Sequence, residues 1–288
     1  MEQIARIAAG PLPDSGGTQS IGRAVALLRL VAASRSRGTA LSDLVERSGL
    51  AKPTCRRILV ALIEAGLVEQ EPETRRYCLG PEAYVLGAAA SDRFGIHRLA
   101  HEGVLRLAKD TGDAAFLQIR RDRSVVCLLR EDGDYPIRSH VLAPSDRHPL
   151  GVGAGGLALL AAMTDSEVEA ALDANNRLLA ERYPVLTRPL LVDLVAETRE
   201  RGYAMNRGLL FPGSWGMGVA VRDADGRPGA CLSLACIESR MQGDREPELA
   251  RLLTEEVRVL ERKLEAFRAP NPSAPAPVRS RRLAGAGR

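Results

Sequence analysis

The chain of 288 residues has no CxxC pair, and its five cysteines are scattered and odd in number. Such spacing builds neither a disulfide framework nor a structural zinc site. The longest uncharged stretch, Pro149 to Thr164, is rich in glycine and too short to cross a bilayer. The opening MEQIARIAAGPLPDSGG lacks a basic start followed by an apolar core, so no export signal is visible. No internal repeat is present, and lysine is nearly missing, with three among forty basic residues. These absences lead to the expectation of a reduced, cytoplasmic protein with no membrane partner.

Hydrophobic residues at 45% and charged residues at 26% exclude a chain disordered throughout. The length is about twice the common domain size, which favours two domains. The formal charge of +4 is unevenly distributed. Residues 20–80 hold ten basic and six acidic side chains, residues 81–267 hold twenty-four and twenty-eight, and residues 268–288 hold five arginines and no acid. A basic head, an acidic body and a basic tail suggest an anionic polymer as partner at one end.

Residues 1–19 and 269–288 are Gly-, Pro-, Ser- and Ala-rich without apolar periodicity and are expected to be flexible ends. Over residues 20–80, Ile21, Val25, Leu28 and Val31 recur at helical spacing behind a Ser20 cap, and Ser42 opens a second helix that Gly49 closes. A third starts at Lys52-Pro53, where proline suits the first turn, and carries Cys55, Ile58, Leu59 and Leu62 on one stripe. A hairpin follows, Leu67–Gln70 and Arg75–Leu79 around Glu71-Pro72-Glu73-Thr74. Three helices and a hairpin make a winged helix-turn-helix. The third helix turns Arg57 away from the core stripe, with Arg56 beside it and Lys52 and Thr54 near its N-terminal end. Arginine can read guanine bidentately, threonine can meet a base or a phosphate, and Lys and Arg neutralise phosphates, so double-stranded DNA is the expected partner. Arg75 and Arg76 on the hairpin's return strand extend this surface. Glu69, Glu71 and Glu73 argue against heavy phosphate contact by the wing.

Residues 81–95 read as a helical join, and residues 96–268 mix helices with alternating runs. A helix is expected over Ile96–Lys109, a hairpin joins Ala115–Arg120 to Val125–Arg130, and Gly151–Gly156 enters an apolar helix ending near Met163. Thr187 caps a helix that Gly202 stops. Gly218–Arg222 pairs with Ala230–Ala235, and a last helix lines up Leu249, Leu252, Leu253, Val257, Leu260 and Leu264 as core or dimer seam. Hairpins with separate helices favour an antiparallel α+β domain.

Three motifs are decoys. Gly151-Val-Gly-Ala-Gly-Gly156 matches GxGxxG, but Ser145–Pro149 before it is not a buried strand, so no dinucleotide cofactor is expected. His97 and His101 are four residues apart without a glutamate or an obvious third ligand, so no metal is expected. Cys127, Cys231 and Cys236 lie in apolar runs and fill the core. No paired acid/base or nucleophile–base set stands out, which argues against an enzyme.

The runs IGRAVALLRLVAAS, LSDLVERSGLAKPTCRRILVALIEAGLVEQ and RRYCLG resemble the DNA-binding domain of IclR-type bacterial transcription regulators. Pro53 stands where that family usually has serine. The likeness continues through HPLGVGAGGLALLAAM and RERGYAMNRGLLFPGSWGMGVAVRDADGRPGACLSLA, covering about residues 20–265. It implies a GAF-like effector-binding domain whose pocket takes a small organic acid through Ala154, Gly155, Asn206, Ser214, Gly216, Ser233 and Ala235. Leu157, Asn206, Arg207-Gly208-Leu209 and Ala235 depart from the family by losing charges or hydroxyls, and Trp215 adds a ring. A more apolar, even aromatic, acid is therefore expected. The implied assembly is a homodimer or a dimer of dimers, because one head makes too few DNA contacts alone.

Overall fold

The computed structural model describes residues 19–33, 37–91, 95–137 and 142–268. The ends expected to be flexible, apart from Gln19, lie outside the described residues, as does His140.

The head comprises α1 (Gln19–Ala32), α2 (Leu41–Ser48), α3 (Lys52–Glu64), β1 (Val68–Gln70) and β2 (Tyr77–Leu79). Leu27, Leu30 and Val31 of α1, Leu44 of α2 and Cys55, Leu59 and Leu62 of α3 meet Val68 and Tyr77 in one small core. Their three- and four-residue spacing places them on one face of each helix. Gly49 closes α2 at φ 66°, its N–H donating to the Val45 carbonyl. The helix starts differ from expectation. Helix α1 begins at Gln19, ahead of Ser20. The N-cap of α2 is Ala40, and Ser42, already inside the helix, turns its hydroxyl to Asp43 at 3.2 Å.

The hairpin pairs Gln70 with Tyr77. Arg75 and Arg76 are not on the return strand. Arg75 sits at φ 58° and donates its N–H to the Glu71 carbonyl, so both arginines belong to the turn. Thr39 and Tyr77 exchange two backbone hydrogen bonds of 2.9 Å, fixing the wing to the α1–α2 connection. Helix α4 (Pro81–Ser91) follows, with Tyr84, Val85 and Leu86 all more than half exposed.

The larger region contains α5 (Ile96–Thr111), β3 (Ala114–Arg121), β4 (Ser124–Glu131), β5 (Arg147–Pro149), α6 (Gly153–Ala161), α7 (Asp165–Arg182), α8 (Arg188–Arg201), β6 (Ala204–Arg207), β7 (Ser214–Arg222), β8 (Pro228–Ile237) and α9 (Arg245–Arg268). Its six strands run in the order β5-β4-β3-β8-β7-β6, with every neighbouring pair antiparallel. The short strands β5 and β6 and the helix α7 were not anticipated. Strand β5 is a three-residue edge strand antiparallel to β4, so the glycine-rich segment after it does not follow a parallel βαβ strand. Helix α7 is announced by a capping box: Thr164 accepts from the Glu167 N–H, and the Glu167 carboxylate accepts from the Thr164 N–H.

Strand alternation sorts the core into two layers. On β8, Leu232, Leu234 and Cys236 face α5 and α9, where they meet Val104, Leu107, Leu249, Leu253, Val257 and Leu260. The stripe of the last helix is thus core. Cys231 faces the opposite way, toward Leu157, Leu159, Leu160, Leu172 and Leu191 of α6, α7 and α8. Asp113, its side chain 3% exposed, joins the sheet to the start of α9 by ion pairs with Arg240 at 2.7 Å and Arg245 at 2.8 Å.

Helix α6 lies directly on the sheet, and missing side chains permit it. A Cβ on Gly218 would come within 2.6 Å of the Ala154 carbonyl oxygen and 3.1 Å of the Gly155 nitrogen. A Cβ on Gly155 would come within 2.4 Å of the Gln118 amide. The other end of α6 is held by Arg199, which donates to the carbonyls of Ala161 at 2.9 Å and Met163 at 2.8 Å. Because backbone atoms oppose Gly218, Gly218→Ala should lower stability by about 1–3 kcal/mol through overpacking. Urea denaturation should show a lower midpoint; an unchanged midpoint would contradict this close seating.

Candidate functional site

On α3, Lys52, Arg56 and Arg57 are exposed and Thr54 is half-buried; Arg57 points away from Cys55, Leu59 and Leu62, with Arg56 to one side and Lys52 and Thr54 in the first turn. The first turn of the helix holds no acid. The helix therefore offers cations and unpaired backbone N–H groups at the same end, an arrangement that suits phosphate and base edges. The wing differs in character. Glu69, Glu71 and Glu73 are exposed, and Arg76 donates through Nη1 to the Gly38 carbonyl at 3.0 Å. Of the six candidate contacts, Lys52, Thr54, Arg56 and Arg57 share one helix, whereas Arg75 and Arg76 occupy a turn with a carboxylate-rich surround.

The second feature is a cavity of about 330 Å³ between the sheet and the start of α6. All seven candidate pocket residues line it. Ala154 and Gly155 come from α6, Asn206 from β6, Ser214 and Gly216 from β7, and Ser233 and Ala235 from β8. The lining also includes residues that sequence reasoning missed: Phe116 and Gln118 of β3, His148 of β5, Arg182 and Tyr183 at the end of α7, and Leu210, Phe211 and Pro212 from the β6–β7 connection. No motif marks them, and they meet only because β3, β5 and the end of α7 converge in space.

The chemistry of this lining is specific. The N-cap of α6 is Val152, which provides no side-chain cap, and the first turn holds no acid. The amides of Gly153, Ala154 and Gly155 have no intrahelical acceptors and carry the positive end of the helix dipole. Beneath them Gln118 donates to the Ser233 hydroxyl at 2.8 Å, both side chains being buried. Asn206 uses its Oδ1 to accept from the Leu209 N–H at 3.0 Å, which holds the Leu-Phe-Pro segment over the cavity. Among the described residues the lining contains no Asp or Glu, and Arg182 is its one arginine or lysine. Tyr183 is buried, and its hydroxyl lies 2.9 Å from His148 Nδ1. Burial pushes the imidazole down to about 4 and pushes the phenol up, so both are neutral near pH 7.

Trp215 borders the cavity, but its ring packs against the α5–α9 layer, with the Arg207 guanidinium 5.7 Å from its centre. The thiols of Cys231 and Cys236 are raised by burial, Cys236 to about 12, which leaves them protonated and inert. His97 and His101 are exposed, and no group of side chains among the described residues could hold a metal ion. No described helix is long and apolar enough to cross a membrane.

A helix-turn-helix head joined by a helix to an antiparallel, cavity-bearing body defines a class of DNA-binding regulator. The model of the IclR helix-turn-helix domain matches residues 20–72, and that of the bacterial transcriptional regulator IclR C-terminal domain matches residues 88–262. The chain belongs to the IclR family of DNA-binding transcription regulators. It is 30% identical to the HTH-type transcriptional regulator BhcR of Paracoccus denitrificans, over 86% of this chain and 88% of that protein. It is also 30% identical to the glycerol operon regulatory protein of Streptomyces coelicolor, over 87% and 98% respectively. An IclR transcriptional regulator from Alicyclobacillus acidocaldarius superposes with a TM-score of 0.70 at 27% identity, covering 86% of this chain and 98% of that one.

The depressed His148 has a consequence for stability. Its folded value of about 4 lies below the unfolded value near 6.5, so the unfolded chain binds the proton first. Between pH about 6.5 and 4, stability should fall with falling pH. His148→Gln should remove that component of the slope in urea titrations, and an unchanged slope would mean that the imidazole is not held neutral.

Proposed function

We propose that this regulator binds its operator through α3 and that a small organic acid, apolar and aromatic in its body, occupies the cavity and modulates that binding. The observation that carries the reading is the cavity lining. Orphan amides of a helix N-terminus and hydroxyl and amide side chains sit among Phe116, Phe211, Leu210 and Val152, with no carboxylate among the described lining residues to repel an anion. A volume of about 330 Å³ lies at the small end of ligand cavities, roughly 300–1,000 Å³, which suits an acid rather than a dinucleotide. An IclR homologue from Microbacterium hydrocarbonoxydans was crystallised with 4-hydroxybenzoate, but at 21% identity that likeness concerns the fold, and the ligand class rests on the residues above.

On the DNA side, Arg57 reads a base edge, Arg56, Lys52 and Thr54 position the helix on phosphates, and Arg75 and Arg76 contribute little because the wing is acidic. The protein acts in the cytoplasm as a homodimer or dimer of dimers. The exposed Tyr84, Val85 and Leu86 of α4 support self-association, since so apolar a helix is seldom left in water. Effector and operator then alter each other's affinity by the same factor.

Arg57→Ala should weaken operator binding by about 1–3 kcal/mol, roughly five- to 150-fold, in anisotropy titrations at fixed salt. Wild-type affinity in that variant would overturn the role of α3. Ser233→Ala should weaken the response to an aromatic acid while leaving operator affinity intact, and an unaltered acid titration would remove Ser233 from the site.

A further inference from the structure

The outer face of α3 is not uniformly cationic. Each residue of a helix is turned by about 100° from the one before it. Pro53, Arg57, Val60, Ala61 and Glu64 therefore project from the side opposite Cys55, Leu59 and Leu62, and all five are exposed. Lys52 and Arg56 flank this face on one side and Thr54 on the other, so Arg57 is the one cation near its centre. Val60 stands one turn beyond Arg57, 45% exposed, and takes no part in the core of the head. Helix propensity does not account for a β-branched residue at such a position.

Beside an arginine poised for a base edge, an apolar side chain has one group to meet. The major groove presents donors and acceptors on every base pair and a single kind of methyl, that on C5 of thymine. Side chains three residues apart on a helix are neighbours, with about 5–6 Å between Cβ atoms, and successive bases are about 3.4 Å apart along a strand. With Arg57 on a base edge, Val60 falls over the next base pair or the one after it. Ala61 presents a single methyl and Pro53 is tied to the backbone of the first turn, whereas Val60 carries two methyls on a free side chain. Glu64, a further turn along, has the sign of the phosphates, so the favourable contact ends at Val60.

We propose that Val60 is a specificity-determining residue of α3 and packs on the C5-methyl of a thymine one or two base pairs from the base that Arg57 contacts. This rests on the reading of α3 as the DNA-contacting helix and adds a base identity that the helix selects without a hydrogen bond. Deoxyuridine in place of that thymine removes the methyl alone and leaves the hydrogen-bonding edge intact, so it isolates the apolar contact.

For the test, the full-length protein selects its tightest binders from a pool of duplexes with a randomised central segment. In the winning duplex each thymine is then replaced in turn by deoxyuridine, and affinity is read by anisotropy at fixed salt. Deoxyuridine at one thymine of the half-site should weaken wild-type binding about three- to tenfold, the effect of one methyl left in water. Val60→Ala lies outside the core and should fold. It should bind the parent duplex more weakly by a similar factor and no longer distinguish thymine from deoxyuridine at that position. Arg57→Ala should lose affinity for all of these duplexes. A selected half-site without such a thymine, a wild type indifferent to every replacement, or a Val60→Ala variant that keeps the full wild-type penalty would each overturn the proposal. If Arg57→Ala still loses affinity in those cases, the role of α3 stands. Failure to select any duplex would overturn the role of α3 and this assignment together.

Discussion

The approach of α6 to the sheet is the constraint on which the rest of the larger domain depends. Ala154 and Gly155 can lie against β7 and β3 only because Gly218 and Gly155 present hydrogen where other residues present carbon. That contact buries the apolar length of α6, from Leu157 to Ala161, in the layer shared with α7 and α8. It also brings the open first turn of α6 down among Gln118, Ser233 and Gly216, where a cavity begins. One packing decision thus makes a core at one end of a nine-residue helix and an anion-seeking surface at the other. Arg199 completes the arrangement by satisfying carbonyls at the C-terminal end, so the negative pole of the helix dipole is met by a cation while the positive pole stays open toward the cavity.

The electrostatics of the α3 surface and of the cavity differ. The α3 surface is exposed and cationic, so its attraction for a polyanion is long-ranged and weakened by salt. The cavity is small, its described lining carries one fixed charge, and what it offers a guest is oriented dipoles and hydrogen-bonding groups in a poorly screened setting. His148 and Tyr183 are kept neutral by burial, which preserves this character across the physiological range. The acidic wing, with Arg76 turned back to Gly38, concentrates the positive surface of the head on one helix.

How legible the molecule is from its residues depends on how local each signal is. The head is almost fully readable because its helices carry apolar stripes, Gly49 stops one and Pro53 starts another. The error at Arg75 and Arg76 arose because alternation alone does not reveal that Arg75 adopts a left-handed conformation that holds both arginines in the turn. In the larger domain, long hairpins and capped helices are legible, whereas β5 and β6 are too short to show a period. Helix α7 has a weakly sorted surface, and only its Thr164–Glu167 box marks it.

The sequence by itself determined the class of protein, the helices of the head and the antiparallel pairing of the long strands, and its family resemblance implied seven residues that come to line one cavity. The elements follow from local preferences and from motifs in which neighbours in the chain act together, and the seven residues from the resemblance that those motifs carry. Only the tertiary structure decided that Phe116, His148, Tyr183 and Phe211 share that cavity, that Trp215 turns its ring to the opposite layer, and that Arg76 is diverted to Gly38. These facts depend on which strands become neighbours and how closely a helix settles on them, and no local pattern encodes a distance between residues far apart in the chain.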